Sequence, residues 1–237
     1  MLSASVVIAT YNGEKFLRDQ LDSIIPQLRD CDEVVISDDG STDGTLDIIN
    51  EYVKKYSIIN YYEGPRRGVI KNFEFGIAKA SKDIIFLSDQ DDIWLPDKVS
   101  IVLGLFSENA DITCVLHDVQ IVDKQLNVID SSFFEFRNSA KGLVRNLIKN
   151  SFMGSAMAFQ RRMVPRLLPI PENVPMHDQW IGLINEIYGK VSICNQCLGL
   201  YRRHGNNASS FTHEPLQKMI KNRISLIQDL IIRTRSK

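Results

Sequence analysis

Apolar and polar positions come in alternating blocks along the first half of the chain. "SASVVIAT" (3–10) is a compact β-branched run that reads as a buried strand. After Tyr11, Asn12 and Gly13, the residues Phe16, Leu17, Leu21, Ile24 and Ile25 recur at helical spacing. "DEVVIS" (32–37) repeats the scheme, stops at "DDGSTDG" and leads into the helical stripe of "TLDIINEYVKKY" (45–56). "SIINYY" (57–62), the loop "EGPRRG" and a helix around Phe73 to Ala80 follow. "KDIIFLS" (82–88) then runs straight into Asp89, Asp91 and Asp92, with a new helix start near Pro96.

Near-uniformly apolar strands separated by amphipathic helices imply an α/β fold with a mainly parallel, doubly wound sheet. In such sheets ligands bind beyond the carboxyl ends of the strands. The polar clusters "TYNGE", "SDDGSTDG" and "SDQDD" all fall at such ends. The second half is less regular. "DITCVLHDVQIVDKQLNVID" reads as two strands, "SSFFEFRN" as a mobile insertion and "NSFMGSAMAFQ" as a strand with close backbone contacts. A proline-rich stretch, Pro165 to Pro175, ends in "MHDQWIG", a helix start, and one long helix closes the chain.

At 237 residues the chain can bury a substantial core, and 44% apolar with 24% charged residues is ordinary for a soluble protein. A formal charge of −1 gives no global attraction to nucleic acid, so any electrostatic function is local. Cys194 and Cys197 form one CxxC with no second pair to complete a zinc site, and their strand-like surroundings favour a structural role. The four cysteines fit a reducing cytosol. The short apolar run near Met1 lacks a basic leader, and no segment reaches the roughly 20 apolar residues of a membrane span. A cytoplasmic protein is expected, acting if at all at the inner face of the plasma membrane.

Three like charges at the tip of a core strand raise the cost of ionising one another, unless they sit in water or beside a cation. "VVIATYNGEKFLRDQLDSI", "VVISDDGSTDGT" and "IIFLSDQDDIWLPDKV", extended by "MHDQW" and "YRRHGNNAS", resemble the inverting family 2 nucleotide-sugar glycosyltransferases of the GT-A fold. Among that family they look most like bacterial polysaccharide enzymes, rhamnosyltransferases included. The resemblance implies a GT-A domain over 1–212, with a nucleotide-binding half (1–110) and an acceptor-side half (111–212), before a basic amphipathic helix (213–237).

A departing nucleotide diphosphate carries charge that a hard divalent cation stabilises, and carboxylates suit Mg²⁺ or Mn²⁺. The resemblance makes Asp89-Gln90-Asp91 the DxD motif, with Asp91 the direct metal ligand, Asp89 facing ribose or metal-bound water, and Asp92 in support. It places Asp39, and less directly Asp38, at the base or ribose. Thr10, Tyr11 and Glu14 form the first nucleotide loop, with Asn72 nearby. Ser41, Thr42 or Asp43 can cap the next helix, the first two chiefly so, and Asn12 and Gly13 read as turn-formers. Arg66, Arg67 and Lys71 are candidates for phosphate contact.

By the same resemblance Asp178 is the base that accepts the acceptor proton, with His177 where many relatives carry glutamate. His204 lies near metal or diphosphate. Trp94 and Trp180 can offer sugar-facing aromatic surfaces or pack in the core. The expected partners are a UDP- or dTDP-linked sugar and a glycan or lipid-linked acceptor. In the closing helix, Leu216, Met219, Ile220, Ile224, Ile227, Leu230 and Ile231 recur at helical spacing among basic residues. That helix can lie on an anionic membrane, pack on the domain, or pair with a second subunit in a homodimer. Two other functions fit an α/β sheet with acidic loops. One is a nucleotidyltransferase that makes nucleotide sugars, although no Gly-rich basic phosphate loop follows the first strand. The other is a non-catalytic nucleotide- or glycan-binding module.

Overall fold

The computed structural model describes residues 1–205 and 216–235. Its first half realises the block pattern as strands β1 (Ala4–Thr10), β2 (Glu33–Asp38), β3 (Ile59–Glu63) and β4 (Ile84–Asp89). Helices α1 (Leu17–Ile24), α2 (Thr45–Lys55) and α3 (Val69–Lys79) fill the connections. The strands lie side by side in the order β3-β2-β1-β4, all parallel. Register aligns Thr10 with Asp38 and Ala9 with Asp89, so the three polar clusters leave the sheet along one edge. Alternate residues of β1 enter different cores. Val6 and Ile8 join a cluster with Leu21, Ile36, Phe86 and Phe106, whereas Val7 joins Val35, Phe73, Leu87 and Trp180. Burial on both faces is why the strand is apolar throughout.

The remaining strands are β5 (Ile93–Trp94), β6 (Cys114–Val122), β7 (Val128–Asp130), β8 (Met157–Gln160) and β9 (Val191–Arg202). They continue the same sheet as β4-β8-β6-β9-β5, with β7 on the side of β6. Here the pairing is mixed. β8 runs antiparallel to both β4 and β6, while β6 and β9 are parallel. The helices are α4 (Lys98–Glu108), α5 (Phe133–Arg137), α6 (Leu143–Ile148), α7 (Val164–Leu167), α8 (His177–Tyr188) and α9 (Leu216–Arg235).

Three sequence expectations need correction. "SSFFEFRN", read as a mobile insertion, forms α5. Ser132 caps it by accepting from the Glu135 N–H at 3.0 Å, and Phe133 is buried against Tyr201. α3 starts at Val69, four residues before the expected Phe73, because Gly68 takes a positive φ of 86° that turns the chain directly into the helix. Ser41 and Thr42 do not cap α2. Asp43 accepts from the Thr45 N–H instead, which frees Ser41 and Thr42 to bond Asp38 and Asn12. Cys194 and Cys197 are free thiols on β9. Among the described residues no helix is long and apolar enough to cross a membrane.

Candidate active site

A cavity of about 590 Å³ opens where the carboxyl ends of β1, β2 and β4 meet the N-terminus of α8. That is the size range of small-molecule sites. Of the sequence candidates it gathers Thr10, Tyr11, Asp39, Asn72, Asp89, Gln90, Asp91, His177 and Asp178, together with Arg66. Asp38, Glu14, Trp94 and Trp180 do not line it.

His204 does not line it either, although it meets Asp91, and the other four have visible structural work. Asp38 is buried and accepts from Thr10 Oγ1 (2.8 Å), Gly40 N (3.0 Å), Ser41 N (2.7 Å) and Ser41 Oγ (2.6 Å), holding the turn after β2. Glu14 accepts from the Gly44 N–H at 3.2 Å, tying the first loop to the start of α2. Trp94 packs on Phe86, and Trp180 is fully buried with its Nε1–H on the Leu167 carbonyl at 2.9 Å. Neither ring can face a sugar, because burying a large apolar surface in the core outweighs presenting it at the cleft. Arg67 and Lys71 are likewise engaged, with Glu172 and with Glu74 and the Ile170 carbonyl.

The cavity rim is clamped by amides. Gln90 accepts from the Tyr11 N–H and donates to the Tyr11 carbonyl, both at 2.9 Å, which ties the loop after β1 to the loop after β4. A Cβ on Gly13 would stand 2.2 Å from Gln90 Oε1, which accounts for the glycine. Asn72 donates to the carbonyls of Ser37 (2.8 Å) and Thr10 (3.3 Å), bracing β1 against β2. Asp39 accepts from the N–H groups of Arg67 (3.2 Å) and Gly68 (2.6 Å) at the start of α3, which fixes its carboxylate at the cavity wall. Tyr11 is 57% exposed there, an open ring beside a fixed carboxylate.

The acid cluster is crowded and shielded. Asp89 is held well above the usual carboxylate range, first by burial and then by the charges of Asp92, Asp91 and Asp178. Burial, then Asp91, push Asp92 up to about 7, against a 3.0 Å hydrogen bond from the Arg202 N–H. Beneath them lies Lys98, 1% exposed, its Nζ 3.9 Å from the Trp94 ring centre and donating to the Ser155 carbonyl at 2.9 Å. Burial brings Lys98 down to about 7, opposed by Asp92 and Asp89. Sequence reading took this lysine for part of a helix start. A signal was present, since Lys98 falls on the stripe of Val102 and Phe106.

Asp91 meets His204 across the sequence, Oδ2 to Nε2 at 2.7 Å, and the imidazole stacks on Phe16 with ring centres 4.6 Å apart. The last residues of "YRRHGNNAS" and the expected boundary at 212 lie outside the described residues. No three His, Cys, Asp or Glu side chains close into a metal cage among the described residues. A carboxylate–imidazole pair at the edge of a crowded acid cluster nevertheless fits Mg²⁺ or Mn²⁺. Such ions take few protein ligands and fill the rest with water and phosphate oxygens.

Opposite, Asp178 occupies the first turn of α8 and accepts from the Gln179 N–H at 2.6 Å. The helix dipole favours its charge, but burial prevails and raises it to about 6. His177 stacks on Phe73, ring centres 4.1 Å apart, and burial lowers it to about 3, so it is neutral. A Cβ on Gly154 would come 2.9 Å from its Nε2, so the glycine lets the backbone approach. The wall of Phe133, Arg137, Asn150, Phe152 and Met153 carried no motif and was missed, and Tyr201 beside it was passed over within "YRRHGNNAS".

A family model described as glycosyl transferase family 2 matches residues 5–168. Curated relatives matching 85–90% of the chain are 26–28% identical, and the chain spans 59–70% of their length. The dTDP-rhamnosyl transferase RfbG of Shigella flexneri is 46% identical over 99 residues, 39% of this chain and 34% of that protein. Among solved structures, S. aureus TarS 1–349 in complex with UDP-GlcNAc superposes with a TM-score of 0.75 at 17% identity, covering 98% of this chain and 66% of that one. The mannosyltransferase PcManGT of Pyrobaculum calidifontis, in complex with GDP-Man and Mn²⁺, gives 0.66 at 21% identity, covering 83% and 56%. The sheet with its acidic edge is thus the GT-A fold, and the chain belongs to glycosyl transferase family 2.

Proposed function

We propose that the chain is an inverting glycosyltransferase. It moves a sugar from a UDP- or dTDP-linked donor to a hydroxyl of a glycan or lipid-linked acceptor in bacterial surface-polysaccharide synthesis. The observation that carries this reading is one cavity lined by both Asp91 and Asp178, acids 87 positions apart in the chain. Asp39 and Tyr11 receive the nucleoside, the carboxylate accepting its N–H or hydroxyl groups and the ring lying against the base. Asp91, with His204 and the support of Asp89, holds Mg²⁺ or Mn²⁺, which supplies charge stabilisation to the diphosphate.

Asp178 takes the proton from the acceptor hydroxyl as its oxygen attacks the anomeric carbon. The bond from that carbon to the diphosphate oxygen breaks on the opposite face, so the anomeric configuration inverts. Residues 1–110 serve the donor and 111–212 the acceptor. The 46% match to a protein named for dTDP-rhamnosyl transfer supports including dTDP-rhamnose among the donors tested.

A panel of UDP- and dTDP-sugars, each with Mn²⁺ or Mg²⁺, is the test, read by thermal stabilisation and donor hydrolysis. A saturating donor at a hundred times its Kd is expected to stabilise the fold by about 2.7 kcal/mol. Asp91→Asn should abolish the metal-dependent part of that shift. Failure of every UDP and dTDP sugar to bind with either metal overturns the reading. Binding without turnover leaves the non-catalytic module.

A further inference from the structure

Leu226 and Leu230 bury one side of α9 in the core, but a second apolar stripe on the same helix is left in solvent. Ile220, Ile224, Ile227 and Ile231 follow one another at spacings of four, three and four, which places them in one line. α6 borders that line. Arg223, between the buried side and the stripe, donates to the Ile148 carbonyl at 2.6 Å. On α6, Val144 and Ile148 are themselves exposed, so six β-branched residues between 41% and 69% exposed lie on adjoining helices. Scattered exposed apolar residues need no explanation, but a contiguous set on two packed helices marks a docking surface.

Charge selects the occupant. Residues 138–149 and 216–235 together hold eight Lys and Arg and a single acid, Asp229, in a chain whose formal charge is −1. Three of the cations, Lys141, Arg145 and Lys149, flank the exposed side of α6, and Lys221 and Arg235 stand beside the isoleucine line. Pairing this face with its copy would set cations against cations, and among the described residues of the two helices only Asp229 could answer them. An interface rich in anionic headgroups over acyl chains matches both components, because long basic side chains reach the headgroups while the isoleucines enter the boundary below. Ile148 is also two residues from Asn150, which lines the cavity.

We infer that the α6–α9 face docks on an anionic lipid surface, with the cavity beside the bilayer. The inference rests on surface chemistry and does not require transfer activity. Its test is flotation of the full chain with phosphatidylcholine vesicles, with and without phosphatidylglycerol. Binding is expected only to the anionic vesicles, weakening as salt rises. Lys141→Gln, Lys149→Gln and Lys221→Gln should each reduce it about fivefold. Ile224→Ser with Ile227→Ser should abolish it, while melting temperature stays at that of the parent because all five side chains are exposed. Absence of anionic-vesicle binding, or binding equal in parent and variants, overturns the inference. So does a concentration-dependent dimer that the isoleucine variant dissolves while vesicles are ignored, since a second copy then covers the stripe.

Discussion

Asp178→Asn is expected to lower kcat about 10²- to 10⁴-fold while nucleotide diphosphate affinity stays within about twofold. The amide copies the carboxylate's shape, and its oxygen can still accept from the Gln179 N–H, so the turn into α8 survives. It cannot take a proton. On the proposed roles, the interaction lost is one made as the acceptor oxygen attacks, and nucleoside contacts at Asp39 and Tyr11 would be untouched. pH gives a second, independent reading. A base works ionised, and burial holds Asp178 at about 6, above the ordinary aspartate value. Lowering the pH through 6 protonates it, so kcat/KM should fall about tenfold per unit below that point. Steady-state rates from pH 5 to 8 measure the limb. A parent limb near pH 4, or a variant with parental kcat, assigns the proton to another group.

How much of this was legible beforehand depended on whether a residue's partners were near it in sequence. The parallel half of the sheet could be read because each strand is buried on both faces and each helix on one. Two different periodicities therefore alternate without overlap, and the polar clusters mark where the strands stop. The mixed half could not be read so well. Whether β8 runs with or against β4 depends on pairings between residues about 75 positions apart, such as Ile85 with Phe159, and nothing local encodes that choice.

The site divides the same way. Asp89 and Asp91 stood out because carboxylates crowded at a strand end are conspicuous chemistry, and Asp178 because "MHDQW" resembles a family motif. Asp38 and Glu14 were equally conspicuous, yet their oxygens are taken by backbone N–H groups that the sequence does not reveal. Trp94 and Trp180 stayed open between cleft and core for a related reason. An aromatic ring next to an acidic motif looks the same on paper whether it faces the cleft or the core, and only the register of its element decides. Lys98 escaped because a lysine beside Pro96 and Asp97 passes for a solvated helix start, while the fold carries it under the acid cluster.

That buried lysine is the second place where a single change should act strongly. Lys98→Met keeps the aliphatic stem over Trp94 but removes the ammonium that Asp92 and Asp89 face, so it breaks a buried charge arrangement from one side. Such losses run to about 3–5 kcal/mol, and the pH dependence identifies the cause. Asp92 is raised to about 7, so the folded state holds a proton that the unfolded chain gives up near 4, and this acid alone makes stability fall as pH rises between those values. Lys98, lowered to about 7, acts in the opposite sense at higher pH. With the lysine gone only the acid contribution remains, and it strengthens because the carboxylates lose their compensating charge. Urea denaturation should therefore show a small deficit for Lys98→Met at pH 5, where the acids can be protonated, and the largest deficit near pH 7, where Lys98 still carries charge beside ionising acids. An equal deficit at both pH values would mean lost packing and the lost Ser155 hydrogen bond rather than charge. Near pH 7, Mn²⁺ with UDP should recover part of the variant's deficit, because a divalent ion held at Asp91 would supply from the cavity the positive charge that Lys98 supplied from beneath.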